Sequence, residues 1–89
     1  MELSEIRKQI DEIDAELVNL FCRRMELSAQ VAAYKKANNL PIFVPSREQE
    51  ILENISKMSG PVMAQYAQAL YTCLFQLSRN YQAKRNEVV

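Results

Sequence analysis

Laid over the chain before Pro41, a seven-residue template puts Leu3, Ile10, Leu17, Arg24 and Val31 in one row. Ile6, Ile13, Leu20, Leu27 and Tyr34 fall in its partner row. Every position but Arg24 is apolar, and no strong helix breaker interrupts the stretch. The pattern predicts one helix from about Ser4, read as its N-cap, to Asn38-Asn39, which stop it ahead of Leu40-Pro41. At ~1.5 Å per residue such a helix runs ~50 Å, longer than a compact domain of this size is wide. Its far end calls for a surface from outside the chain.

After Ile42-Phe43-Val44-Pro45, Ser46 and Gln49 have the spacing of a capping box, and Ile51, Leu52, Ile55 and Met58 supply the apolar stripe of a short helix ending near Ser59-Gly60. Pro61 suits the first turn of a third helix, with a stripe through Met63, Tyr66, Leu70, Cys73, Leu74, Leu77 and Tyr81. That helix is expected to persist to about Arg85, and Lys84-Arg85-Asn86-Glu87-Val88-Val89 reads as a fraying end. The expectation is an all-α chain, one domain over residues 1–89, with one long, one short and one medium helix. So small a chain with one oversized helix buries too little surface alone, which predicts an intertwined helical homodimer.

Composition narrows the function. With 48% hydrophobic and 25% charged residues, one Gly and three Pro among 89, the chain is an ordinary folded protein rich in helix. Eleven Lys+Arg balance eleven Asp+Glu, so the field that draws proteins to nucleic acid or an anionic membrane is missing. There is no His, and Cys22 and Cys73 cannot complete a zinc site alone, which excludes His-based triads and ordinary zinc chemistry. Met1-Glu2-Leu3-Ser4-Glu5 carries no basic leader, and no apolar run approaches the ~18 residues of a membrane span. The expected setting is cytoplasmic, with both cysteines as buried, reduced thiols.

Polar residues interrupt the apolar pattern at a few places. Arg24 sits among Leu17, Leu20, Leu27 and Val31, where a guanidinium must meet an anion: a carboxylate of another helix that sets register, or a ligand. Lys35 lies on nearly the same face ~16 Å further along, a gap two long side chains can narrow to the size of a small dianion. Alone, a lysine in this position is more often a solvated one. Arg7 is ~25 Å from Arg24 along one helix, but in an antiparallel dimer the two come together across chains. From spacing alone the better reading of Arg7 is a surface charge near Asp11 or Asp14. Arg47 and Glu48 open the second helix, where the helix dipole accounts for Glu48 and leaves Arg47 to some other contact. Ser78 and Gln82, one turn apart, put neutral hydrogen-bonding groups on the face of Leu70 and Leu74. The set is cations and neutral donors without a nucleophile or a base.

The segments Ile6-Arg7-Lys8-Gln9-Ile10-Asp11-Glu12-Ile13-Asp14 and Leu20-Phe21-Cys22-Arg23-Arg24-Met25-Glu26-Leu27, then Lys35, Pro41-Ile42 and Ser46-Arg47-Glu48, resemble the all-helical (type II) chorismate mutases. Leu74-Phe75-Gln76-Leu77-Ser78 extends the likeness, which reaches from Ile6 to about Gln82. The resemblance implies an intertwined dimer with two equivalent sites that convert chorismate to prephenate without cofactor or metal. In it Arg7 matches an arginine crossing from the neighbouring subunit. Arg24 matches the in-subunit arginine for a substrate carboxylate, Lys35 a lysine on a carboxylate and the ether oxygen, and Gln82 the second donor to that oxygen. Arg47 matches a supporting arginine, Glu48 the acceptor of the ring hydroxyl and Ser78 a polar contact near a carboxylate. Val44 departs from the pattern, standing where many members carry an aspartate facing the same hydroxyl. Two other readings compete: an isochorismate pyruvate-lyase with a similar cationic pocket, and a non-catalytic helical dimerisation or regulatory module. The chain is also compatible with a piece of a fusion, or with a partner enzyme of the shikimate pathway.

Overall fold

The computed structural model describes residues 1–87, and among them it is all helical: α1 (Leu3–Ala37), α2 (Pro45–Ser59) and α3 (Ala64–Glu87). A radius of gyration of 16.1 Å and extents of 54 × 29 × 14 Å describe an elongated body. A compact chain of this length would have a radius near ~12 Å. The excess is α1, which runs the full long dimension and is covered by its own chain only towards its C-terminus. Every residue from Met1 to Arg23 is exposed.

Helix α3 packs on α1 along one face and on α2 along another, while among the described residues α1 and α2 do not pack on each other. A cleft floored by α3 therefore opens between them. On α1 the contact is made by Ser28, Ala29 and Ala32, whose small side chains let the helices approach closely. On α3 the inward row is Ala64, Ala67, Tyr71, Leu74, Phe75, Ser78 and Gln82, with Tyr71 edge-on to Phe75 at a centroid separation of 6.1 Å.

The heptad rows of α1 are thus not covered by their own chain: Leu17 is 54% and Leu20 52% exposed, and Leu27 and Val31, at the cleft, are open as well. The apolar row predicted for α3 is displaced in the same way. Met63, Tyr66, Leu70, Cys73 and Leu77 point outward, and the buried aromatic residue is Phe75, which that row omits. Helix α1 uses its small and polar face for the neighbour in the chain, and both α1 and α3 leave the apolar rows predicted for them largely uncovered. Both thiols are unbonded and, against expectation, exposed, because they lie on these outward faces. In α2, Ile51, Leu52 and Ile55 are half-buried as predicted, but Met58 is 79% exposed.

Helix ends depart from the predicted caps. The N-cap of α1 is Glu2 and that of α2 is Val44, neither with a side-chain cap, so Ser4 and Ser46 both lie inside their helices. Pro45 takes the first turn of α2, where its missing N–H costs nothing. Gln49 donates to Glu53 rather than closing a box on Ser46. Gly60, at φ 84°, ends α2, and Pro61 lies in the turn ahead of α3 instead of in its first turn. The tail does not fray at Lys84: α3 continues to Glu87, with Lys36 Nζ donating to the Asn86 carbonyl at 2.7 Å and Asn86 Nδ2 to the Ala32 carbonyl at 3.2 Å. Val88 and Val89 lie outside the described residues.

The stop of α1 matters for the site. Asn38 Nδ2 donates to the Tyr34 carbonyl, Asn39 takes a left-handed conformation at φ 55°, and the Leu40 amide donates back to Lys35 at 2.8 Å. The chain is thereby turned so that Ile42 returns alongside Lys35. Asparagine tolerates this conformation and a β-branched residue does not. Asn39→Val is expected to lower stability by about 1 kcal/mol in urea denaturation, with Asn39→Gly at or above wild type.

Candidate active site

The cleft between α1 and α2 has a volume of about 310 Å³, at the lower end for small-molecule sites. Arg24, Ser28, Val31 and Lys35 enter it from α1, spaced three or four apart on one face. Ile42 and Val44 come from the connection, Arg47, Glu48 and Ile51 from the first turns of α2, and Phe75, Ser78, Arg79 and Gln82 from α3. Four cations and one carboxylate therefore line a single small recess, which favours an anion.

The cations are held in different ways. Arg24 is half-buried with its guanidinium 5.9 Å from the centre of the Tyr71 ring, a cation–π contact that leaves its hydrogen-bonding edge available. The expected carboxylate of another helix is not among its contacts. Lys35 Nζ donates to the Ile42 carbonyl at 2.9 Å, which aims the ammonium across the cleft and leaves two of its three N–H groups. Arg47 is turned to solvent, pairing with Glu50 at 2.7 Å with both side chains more than 60% exposed. Such a pair contributes little and is readily exchanged for another anion.

A buried polar chain forms the wall opposite. The Ser28 and Ser78 hydroxyls are 2.8 Å apart, and Gln82 Nε2 donates to Ser78 Oγ at 3.1 Å. All three residues are buried, and Gln82 Oε1 has no hydrogen-bond partner. Leaving such an atom unpaired is costly, so the amide end of Gln82 is a group in want of a contact.

Six of the seven residues singled out in the sequence, Arg24, Lys35, Arg47, Glu48, Ser78 and Gln82, thus meet in one recess within a single chain. Arg7 does not: it lies on the exposed first half of α1, far from the cleft. Two polar residues of the recess escaped the sequence reading. Ser28 follows Arg24 by one helical turn and its small polar side chain was detectable on that ground. Arg79, one turn after Phe75, gives no such signal, because the inward face of α3 lies one residue past its most apolar row. Among the described residues no group of His, Cys, Asp and Glu could hold a metal ion, and no helix is long and apolar enough to cross a membrane.

Fold and recess together define an all-helical protein that gathers fixed cations and neutral donors around a small volume. Comparison with known proteins makes the class specific. The chain belongs to the type II chorismate mutase family, whose model matches residues 6–83. It is 44% identical over 61 residues to a bifunctional chorismate mutase/prephenate dehydratase of Aquifex aeolicus, a match covering 68% of this chain and 17% of that protein. With a T-protein of Haemophilus influenzae it shares 43% identity over 51 residues, 57% of this chain and 14% of the relative. A chorismate mutase of Methanocaldococcus jannaschii is 42% identical over 57 residues, 64% of this chain and 58% of the relative. The chain thus spans less than two thirds of each of these relatives.

Proposed function

We propose that this chain is a chorismate mutase, rearranging chorismate to prephenate in the cleft between α1 and α2. The observation that carries the reading is the convergence of Arg24, Lys35, Arg47 and Gln82 on one recess, in a chain of this family. The reaction is unimolecular: a carbon–oxygen bond breaks as a carbon–carbon bond forms, and no proton, electron or group is passed to the protein. It needs the dicarboxylate held in its compact conformer and donors where negative charge grows on the ether oxygen.

In this reading Arg24 binds one substrate carboxylate. Lys35 spends one N–H on Ile42 and offers the others to a carboxylate and the ether oxygen. Turning the Gln82 amide end for end lets the Ser78 hydroxyl donate to Oε1 and puts the amide N–H groups in the unpaired position, where the same ether oxygen would accept from them. Arg47 exchanges Glu50 for the entering anion, Ser78 lies near a carboxylate, and Glu48 accepts the ring hydroxyl. Because Gln82 is neutral at any pH, activity is expected to be flat through neutrality, and a steep rise on acidification in the pH–rate profile would remove Gln82 from this role.

The homodimer belongs to the same proposal. Leu3, Ile6, Ile10, Ile13, Leu17 and Leu20 form an open stripe, and covering each returns roughly 1 kcal/mol. That sum rivals the whole stability of a small domain, ~5–15 kcal/mol. An antiparallel second copy would cover the stripe and bring the partner's Arg7 to the cleft. A cytoplasmic setting is part of the reading, as is association with another enzyme of aromatic amino acid biosynthesis, a function that relatives such as the bifunctional mutase/dehydratase join in one chain. The deciding experiment is a chorismate mutase assay on the purified chain with its mass measured in solution. Parallel incubation with isochorismate, following pyruvate release, separates the lyase alternative. A purely structural module would give no heat on titration with a bicyclic dicarboxylate mimic of the transition state.

A further inference from the structure

Glu48 is the one acid lining an otherwise cationic recess, and a bare carboxylate there would repel the dianion the recess is built to hold. The residue that resolves this conflict is Arg79. Reaching across from α3, its Nη1 forms an ion pair with Glu48 Oε2, both side chains being about three quarters buried (26% and 23% exposed). Two further contacts fix the guanidinium: it stacks over the Phe43 ring at 4.6 Å, and Nη2 donates to Gln76 Oε1 at 3.0 Å. Among the described residues the other cations of the recess make their contacts elsewhere, Arg47 with Glu50, Lys35 with the Ile42 carbonyl and Arg24 with the Tyr71 ring, and none of them pairs with Glu48. Glu48 therefore depends on Arg79 for both its charge balance and its orientation.

We infer that Arg79 is a positioning and specificity residue: it neutralises Glu48 through Oε2 and leaves Oε1 as a fixed acceptor for a substrate hydroxyl. Neutralised in this way, the carboxylate reads a neutral donor without repelling the two carboxylates of the ligand. The neighbouring Val44 contributes no second acceptor, so hydroxyl recognition at this end of the cleft runs through the Arg79–Glu48 pair alone. The inference rests on the mutase reading of the site.

The test is calorimetric titration with the bicyclic dicarboxylate mimic and with its counterpart lacking the ring hydroxyl, alongside turnover of chorismate. Wild type is expected to bind both and to prefer the hydroxylated compound about tenfold or more, the strength of a hydrogen bond to a charged acceptor. In R79Q the preference should collapse and affinity for both compounds fall about tenfold, because Glu48 is left uncompensated. Adding Glu48→Gln to R79Q should restore binding of the compound without the hydroxyl to within about threefold of wild type. A structural arginine predicts otherwise: equal losses with the preference intact, and a double variant no better than R79Q. Either result overturns the inference. Arg79→Lys guards against misfolding, since it keeps the charge and loses the planar fork. It should hold affinity for the compound without the hydroxyl and lose about threefold or more of the preference, and an unchanged preference overturns the inference as well. If wild type binds neither mimic and leaves chorismate unchanged, the mutase reading itself falls. If it binds and turns over while R79Q keeps its preference, only the role of Arg79 falls.

Discussion

Lys35→Ala is expected to lower kcat/KM for chorismate by two to three orders of magnitude, ~3–4 kcal/mol of transition-state stabilisation. The lysine is aimed by a single contact, the hydrogen bond to the Ile42 carbonyl at 2.9 Å, which exists because Asn38 and Asn39 turn the chain back at the end of α1. Losing that charged donor costs ~1.5–3 kcal/mol of stability, so a loss of activity in a variant that still melts above the assay temperature belongs to the reaction and not to the fold. Steady-state rates, with thermal melts of both proteins, separate the two. Near-normal turnover by a folded Lys35→Ala protein would end the assignment of chemistry to this cleft.

The second large effect concerns the ownership of the site. Arg7→Ala and Lys35→Ala are each expected to be nearly inactive alone, yet a co-refolded equal mixture should recover about a quarter of wild-type activity. In a mixed dimer one cleft has both its own Lys35 and the partner's Arg7, while the other lacks both. Half of the dimers are mixed and half of their sites are whole. Absence of recovery, with dimers confirmed by mass, would show that Arg7 serves its own chain or no site at all. The structure supports the crossed arrangement because Arg7 lies on the half of α1 that its own chain leaves bare.

The helices were legible from the sequence because their strongest determinants are local. The apolar rows of α1, the breakers Pro41 and Gly60, and the Asn38-Asn39 stop need no tertiary information. The facing of the helices was less legible. Periodicity finds the most apolar face, and here that face is turned outward, while α1 and α3 meet through Ser28, Ala29, Ala32, Ser78 and Gln82. A face of small and polar residues gives no hydrophobic signal, so periodicity points one residue away from the inward row of α3 and passes over Arg79. Ser4 and Ser46 failed as caps because a capping residue competes with its neighbours: Glu2 and Val44 precede them, and Pro45 already suits a first helical turn. The site residues were legible for a different reason. Arg24, Lys35, Ser78 and Gln82 disturb the apolar pattern, and the family resemblance joins them without any geometry.

The uncovered first half of α1 also bears on how such a protein responds to its own abundance. If each cleft is completed by a second chain, the number of working sites follows the square of the chain concentration below the dissociation constant of the pair. Dilution then acts as an inhibitor, and a modest fall in expression becomes a steep fall in catalytic output. Any larger assembly that holds two copies side by side would raise their effective concentration and remove that threshold without touching the cleft.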